Sequence, residues 1–178
     1  MKQPAQLRLL SPPADFTALA RLDLSFQAHR VFVVQRRPTT FDLLEEKASP
    51  PIDGRYEVDW TELARNTVAL VAEQAGRVVG VGALQLSEWN RRGTVAHLYV
   101  DRECRGLGIG TQLVLALERE AAAHDARALS VETQNVNLAA IRFYESCGFE
   151  LCGLDMSLYD PVVVQNQAAI YLSKAVAP

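Results

Sequence analysis

The segment TVAHLYVDRECRGLGIGTQLVLALEREAAAH, residues 94–124, constrains the fold more than any other part of the chain. Its opening residues are mostly apolar or β-branched and predict a strand. Its closing part places Leu113, Leu117 and Ala121 four residues apart, the spacing of one buried helix face. Between the two lie Gly106, Gly108 and Gly110 at alternate positions. Glycine forms helix poorly and packs nothing, so a junction built from it is shaped for something that approaches the backbone itself.

The elements around this junction follow from pattern and punctuation. AQLRLL predicts a first strand closed by Ser11-Pro12-Pro13, and Asp15 is placed to N-cap a short helix in DFTALARLDL. HRVFVVQRR reads as a strand. Residues 38–59 read as a long loop because of Pro50-Pro51 and Asp53-Gly54, with a helical turn in FDLLEEK. TVALVAE and RVVGVGALQL are apolar runs joined by Gln74-Ala75-Gly76, a hairpin signature. Arg91-Arg92-Gly93 predicts a turn before the TVAHLYV strand. ARALSVET predicts a strand, and NLAAIRFYESC a helix stopped by Gly148. Residues 149–159 and AAIYLSK read as closing strands.

The expected architecture is therefore α+β, a single domain over residues 1–178 with a mostly antiparallel central sheet flanked by helices. The connection from TVAHLYV through a helix to ARALSV supplies one parallel pair.

Composition excludes several classes of function. With 49% hydrophobic and 22% charged residues the chain is an ordinary globular protein, and a net charge of −3 gives no global basic bias toward nucleic acid or an anionic membrane. No apolar run at the amino terminus has the length of a signal peptide, and no window approaches a membrane span. Three cysteines (Cys104, Cys147 and Cys152) and three histidines do not pair in metal-type spacing. Cys104 has no basic partner in the sequence to mark it as a nucleophile, and all three cysteines read as structural or incidental. A reduced, cytoplasmic protein without a metal is expected. Nothing in the sequence decides whether it forms a homodimer.

Three phosphate-cradling patterns compete for the glycines. The dinucleotide fingerprint G-x-G-x-x-G fails because its third glycine would fall on Thr111. The Walker loop fails for want of its Lys. What remains is R-x-x-G-x-G, formed by Arg105, Gly108 and Gly110, on a strand-to-helix turn. Free amides at a helix N-terminus bind anions, and missing side chains let a pyrophosphate approach. A tight turn with no ligand satisfies the same pattern.

Downstream, NLAAIRFYESCGF carries Asn137, Ala140, Phe143, Tyr144, Gly148 and Phe149 as N-x-x-A-x-x-F-Y-x-x-x-G-F. Together with R-x-x-G-x-G this resembles the GCN5-related N-acetyltransferase superfamily, whose core would cover residues 67–159. VETQNVNLAAIRFYESCGFELCGLDMSLYD is similar, more narrowly, to the streptothricin acetyltransferases. LSFQAHRVFVV and NQAAIYLS are more loosely reminiscent of them.

The resemblance implies acetyl-CoA as donor and a primary amine as acceptor. It implies that the backbone of Arg105, Gly106, Leu107, Gly108, Ile109, Gly110 and Thr111 cradles the pyrophosphate, with Arg102 and Arg105 adding charge or remaining solvated. Leu98, Tyr99 and Val100 would pair edge-on with the pantetheine arm, one amide polarising the thioester carbonyl. Asn137 matches the position that contacts this arm, and it is also a good helix N-cap. Tyr144 matches the acid that protonates the departing thiolate, or it is a core aromatic.

An amine with a pKa of about 10.4 must lose a proton before it attacks. Similar proteins carry an acidic pair where this chain has Ala96-His97. His97 could serve as base, since an imidazole titrates near pH 6.5, or it could simply pack in its strand. Glu132 is the other candidate, a water chain a third, and Glu88, Asp155 and Tyr159 are candidates to line the acceptor pocket. Three readings are carried forward: an N-acetyltransferase for a small cationic amine such as a streptothricin-type antibiotic, conferring resistance; a protein or peptide N-acetyltransferase; and a CoA-binding module without turnover.

Overall fold

In the computed structural model, which describes residues 4–177, the expected hairpin supplies the second and third strands of a seven-stranded sheet. Strand β4 (Val68–Gln74) and strand β5 (Arg77–Ser87) pair antiparallel through a turn in which Ala75 and Gly76 both take positive φ. That conformation twists with the strands it joins. Strand β1 (Gln6–Leu9) adds to the outer side of β4, and strand β6 (Arg92–Val100) to the far side of β5. Strand β7 (Ala128–Gln134) then pairs in parallel with β6 over Arg92–Thr94, which gives the expected parallel pair. Helix α2 (Ile109–Ala123) makes the crossover, with Leu113, Leu117 and Ala121 fully buried as their spacing predicts.

The chain divides into two compact units. One comprises residues 1–25, 55–130 and 175–178, and the other residues 26–54 and 131–174. Residues 1–3 and 178, which the single-domain expectation includes, lie outside the described residues. The first unit holds β1, β4, β5, β6, the start of β7, α2, and helix α1 (Ala14–Leu19). A core of Leu19, Leu22, Leu24, Leu63, Val71, Val78, Val81 and Ala83 fills the side of its sheet toward α1.

The second unit contains the rest of β7, followed in the sheet by β9 (Ala169–Ala175) and then β8 (Glu150–Asp155). Helix α3 (Leu138–Ser146) and a separate two-stranded sheet of β2 (Ser25–Arg36) and β3 (Phe41–Arg55) complete it. Asn135 stitches this unit together. Its side-chain amide donates to the Phe32 carbonyl at 2.6 Å, its Oδ1 accepts the Ala168 amide at 2.8 Å, and its backbone bonds Phe32 and Ala168 as well.

Four expectations are corrected. Residues 38–59 are mostly strand, including FDLLEEK, because β3 belongs to a two-stranded sheet that leaves most of its side chains exposed. Asp15 is not the N-cap of α1. Pro13 holds that position, and Asp15, one residue inside the helix, accepts the Ser11 amide and both guanidinium branches of Arg8 at 2.7 and 2.8 Å. Arg92 and Gly93 lie inside β6, the turn being residues 88–91 with Arg91 at positive φ. The strand expected over residues 149–159 ends at Asp155.

The pairing of β5 with β6 carries one irregularity that positions everything after it. Ala83 pairs with His97 and Leu84 with Val95, so Ala96 is an extra residue. A side chain on Gly93 would lie 2.9 Å from Leu84 and 3.5 Å from Ala121, and one on Gly82 would lie 3.1 Å from Leu117 and 3.4 Å from Leu98. Gly93 and Leu98 therefore both face α2, although they differ in parity. The bulge makes the exchange. Past it, His97 and Tyr99 face the other side, with their partners Ala83 and Val81 of the α1-side core.

Asn135→Ala removes two side-chain bonds, one of them buried, and leaves the Ala168 amide without its side-chain acceptor. We expect a loss of about 2–3 kcal/mol, read as a lower urea midpoint at unchanged slope.

Candidate active site

The donor side belongs to the first unit. Asp101 follows β6 and caps a 3-10 turn at Arg102–Cys104, accepting the Glu103 amide at 3.2 Å. The chain then passes through Gly106 and Gly108 at φ +76° and +79° into α2. Only glycine adopts this conformation freely, and a Cβ at either position would meet nothing within 4 Å. Packing does not demand these glycines; the left-handed turn does. Gly108 occupies the N-cap of α2 without a side-chain cap, so no side chain covers the first helical amides. A positive helix end with uncovered amides suits a pyrophosphate.

The two arginines beside this turn act on the protein. The Arg105 guanidinium donates to the carbonyl oxygens of Val100 at 3.1 Å, Ser25 at 2.7 Å and Asp23 at 3.5 Å. Burial lowers its pKa from the ordinary value. Arg102 donates to Ser25 Oγ at 3.1 Å. Both side chains fasten the turn to the end of β6 and to the segment before β2. Cys104, buried beneath the turn, has the basic neighbour that the sequence does not reveal: Arg77 lies 3.6 Å from its sulfur.

His97 lies on the face opposite α2. Its Nδ1 is buried and has no hydrogen-bond partner. Burial pushes its pKa below the ordinary histidine value, and the Glu62 carboxylate only partly opposes this. The ring is therefore neutral near pH 7 and, with its proton on Nε2, offers a lone pair at Nδ1. Its aromatic neighbour Tyr99, at 6.1 Å, is flanked by Tyr56 at 5.7 Å and Trp60 at 5.9 Å. Glu88, by contrast, sits in the turn that opens β6, at the other end of the strand from Leu98–Val100.

The second unit holds the other candidates. Asn137 N-caps α3, its Oδ1 accepting the Ala140 amide at 3.1 Å. Tyr144 is buried, and its ring makes edge contacts with Phe143 at 5.2 Å and Phe149 at 5.6 Å. Arg142, on the exposed side of α3, reaches Glu45 of β3 at 3.0 Å and Glu145 at 2.8 Å. The Tyr159 hydroxyl donates to the Glu132 carboxylate. Glu132 is open to solvent, yet the surrounding protein withholds enough water to raise its pKa above the ordinary value, against the effect of Tyr159. Asp155 accepts the amide and hydroxyl of Ser157, which lowers its pKa and keeps it anionic. The Tyr171 pKa is raised by burial and by the charges of Glu132 and Asp155. Among the described residues no group of three His, Cys, Asp or Glu side chains could hold a metal ion, and no helix is long and apolar enough to cross a membrane.

A profile described as the acetyltransferase (GNAT) family matches residues 33–149, a span that takes in the glycine turn, Asn137 and Tyr144. The chain belongs to this family. It is 33% identical over 171 residues to a streptothricin acetyltransferase of Streptomyces lavendulae, an alignment that covers 90% of each protein. The crystal structure of a nourseothricin acetyltransferase superposes with a TM-score of 0.90 at 34% identity, over 98% of this chain and all of that one. A Bacillus anthracis protein solved with acetyl coenzyme A superposes with a TM-score of 0.81 at 25% identity, over 96% of this chain and 99% of that one. The enzyme is an acetyl-CoA-dependent N-acetyltransferase on a GNAT fold.

The staple formed by Arg105 makes a testable distinction. If its guanidinium served as a charge on the phosphates, Arg105→Lys would largely rescue Arg105→Ala. Because it joins three carbonyls with a planar fork, we expect Lys to fail nearly as badly as Ala, each weakening acetyl-CoA binding by about tenfold in calorimetric titration.

Proposed function

We propose that the enzyme acetylates a primary amine of a small cationic antibiotic of the streptothricin class, and so confers resistance. The likeness to the Streptomyces lavendulae streptothricin acetyltransferase over 90% of both chains is the observation that carries this reading. The slightly acidic chain is compatible with a cationic acceptor.

Bound acetyl-CoA supplies the acetyl group as an activated thioester. In the proposed mechanism, residues 1–178 act as one domain, with residues 105–111 holding the pyrophosphate through backbone amides. The backbone of Leu98, Tyr99 and Val100 pairs with the pantetheine arm, and one of these amides polarises the thioester carbonyl. Asn137 contacts the same arm while it caps α3. Glu132, held by Tyr159, draws in the cationic acceptor. His97 takes the proton of the acceptor ammonium, and the neutral nitrogen attacks the carbonyl carbon. Tyr144 delivers a proton to the departing sulfur as the carbon–sulfur bond breaks, and the second proton of the newly acylated nitrogen replaces it on the Tyr144 oxygen.

The His97 pKa is lowered, so its proton-accepting form persists to lower pH than for an ordinary imidazole. We expect the acid limb of kcat/KM to have its midpoint below about pH 6.5 and to disappear in His97→Ala. Retention of that limb in the variant would assign it elsewhere. Tyr144→Phe keeps the ring contacts and loses only the hydroxyl. It should leave thermal stability within about 1 kcal/mol and lower kcat by roughly 10²–10⁴-fold. The reading as a whole is tested by following thiol release from acetyl-CoA with streptothricin, simple diamines and amino-terminal peptides. It fails if streptothricin is no better than the peptides.

A further inference from the structure

The aromatic residues around His97 have no assigned role. Tyr56, Trp60, Tyr99 and His97 are all half-buried. Tyr56, Trp60 and Tyr99 rest on the α1-side core, so packing accounts for part of each ring and leaves the remainder uncovered. The three neighbours meet Tyr99 at different tilts: Trp60 edge-on at 87°, Tyr56 at 53° and His97 at 43°. The 3-10 turn at Trp60–Arg65 that carries Trp60 also carries Glu62, whose charge reaches His97. Glu62 is paired with Arg65 at 2.7 Å on an exposed surface, where water screens the pair and leaves a carboxylate close to the rings. The cluster thus joins ring faces, one nearby anion and a buried imidazole nitrogen without a partner.

We propose that Tyr56, Trp60, Tyr99 and His97 form a recognition platform that holds the ammonium head of the acceptor by cation–π contact before acetyl transfer. The proposal rests on the amine-acetyltransferase reading and states how the amine is selected. Aromatic faces attract a cation, most strongly Trp, and do so better when partly desolvated. The head group lies against the rings as –NH₃⁺ and gives one proton to His97. As a neutral amine it has no further electrostatic hold on the platform, which leaves its lone pair free to attack. Tyr99 serves twice, its backbone facing the strand edge and its ring facing the platform.

Trp60 supplies its own reporter. The other tryptophan, Trp89, is 88% exposed in the turn before β6, and Trp89→Phe makes Trp60 the only indole in the chain. In that otherwise intact enzyme, tetramethylammonium chloride should shift or quench Trp60 emission in a saturable way that sodium chloride at equal ionic strength does not. Because this ion fits cation–π contact but cannot accept an acetyl group, it should inhibit competitively against streptothricin and not against acetyl-CoA. Trp60→Leu should raise the streptothricin KM by about tenfold with the acetyl-CoA KM unchanged, and Trp60→Phe should recover most of it. Emission indifferent to tetramethylammonium, or an unchanged streptothricin KM in Trp60→Leu, overturns the platform. Should Trp60→Leu fail to fold, Tyr56→Leu and the titration of Trp89→Phe decide the matter. Absence of thiol release with every amine would overturn the functional reading instead, and the tryptophan titration would still report on the platform.

Discussion

A single extra residue, Ala96, determines what the end of β6 can do. Strand side chains alternate with a period of two, so inserting one residue exchanges the faces of everything beyond it. Before the bulge, Gly93 and Val95 are turned toward α2; after it, Leu98 takes that role. His97 and Tyr99 are thereby moved to the α1 side, among Tyr56 and Trp60. Without the bulge the imidazole would lie under α2, shut away in an apolar layer. The parallel ladder with β7 also lies wholly before the bulge, ending at Thr94, while β5 continues to brace the strand as far as Val100. The first half of the strand is thus braced on both edges, and the second half carries the residues proposed to act in the chemistry.

The charges near the glycine turn explain how a loop with so little side-chain packing holds its shape. Two glycines at positive φ are conformationally free in the unfolded chain, and ordering them costs entropy. The Arg105 fork joins three carbonyls, Arg102 adds Ser25, and Asp101 takes two amides, those of Asp23 and Glu103. All of these bonds approach the turn from the protein side. The helix amides are left for an anion, and the rigidity comes from groups that need not touch it. In the second unit Asn135, just past the end of β7, plays a comparable part, joining β2 to the residue before β9 through one buried amide side chain.

What could be read from the sequence followed from periodicity. The β4–β5 hairpin is covered on both faces and so reads as continuous apolar runs, while helices α2 and α3 bury one face and show helical apolar spacing. Strand β3 is different: in a sheet of two strands it buries little, and its sequence carries almost no alternation. Its Asp53-Gly54 reads as a turn, but Gly54 lies inside β3, where the Phe26 ring occupies the space a side chain would take. The glycine motif, Asn137 and Tyr144 were legible because their chemistry is tied to fixed local spacing. Trp60 and Tyr56 were not, since they come to Tyr99 only through the tertiary fold. Which way His97 faces was equally hidden, because no residue type marks a bulge at Ala96.

With His97 as the base, the electrostatics of the proposed reaction differ from those of a carboxylate base. A carboxylate base attracts a cationic acceptor and deprotonates it with the same group. A neutral imidazole can only deprotonate, and its lowered pKa makes it a weaker base than a free histidine. In the proposed reaction the attraction must then come from other groups, and the ring faces and the Glu62 charge that reaches His97 are those on the proposed platform. Separating attraction from proton transfer has a kinetic consequence. In the proposed reaction the rings and the nearby anion set the affinity for the acceptor, while the imidazole sets the pH at which bound acceptor reacts. Screening by salt should therefore weaken acceptor binding and leave the position of the acid limb almost unmoved. A single carboxylate doing both jobs would shift the two together.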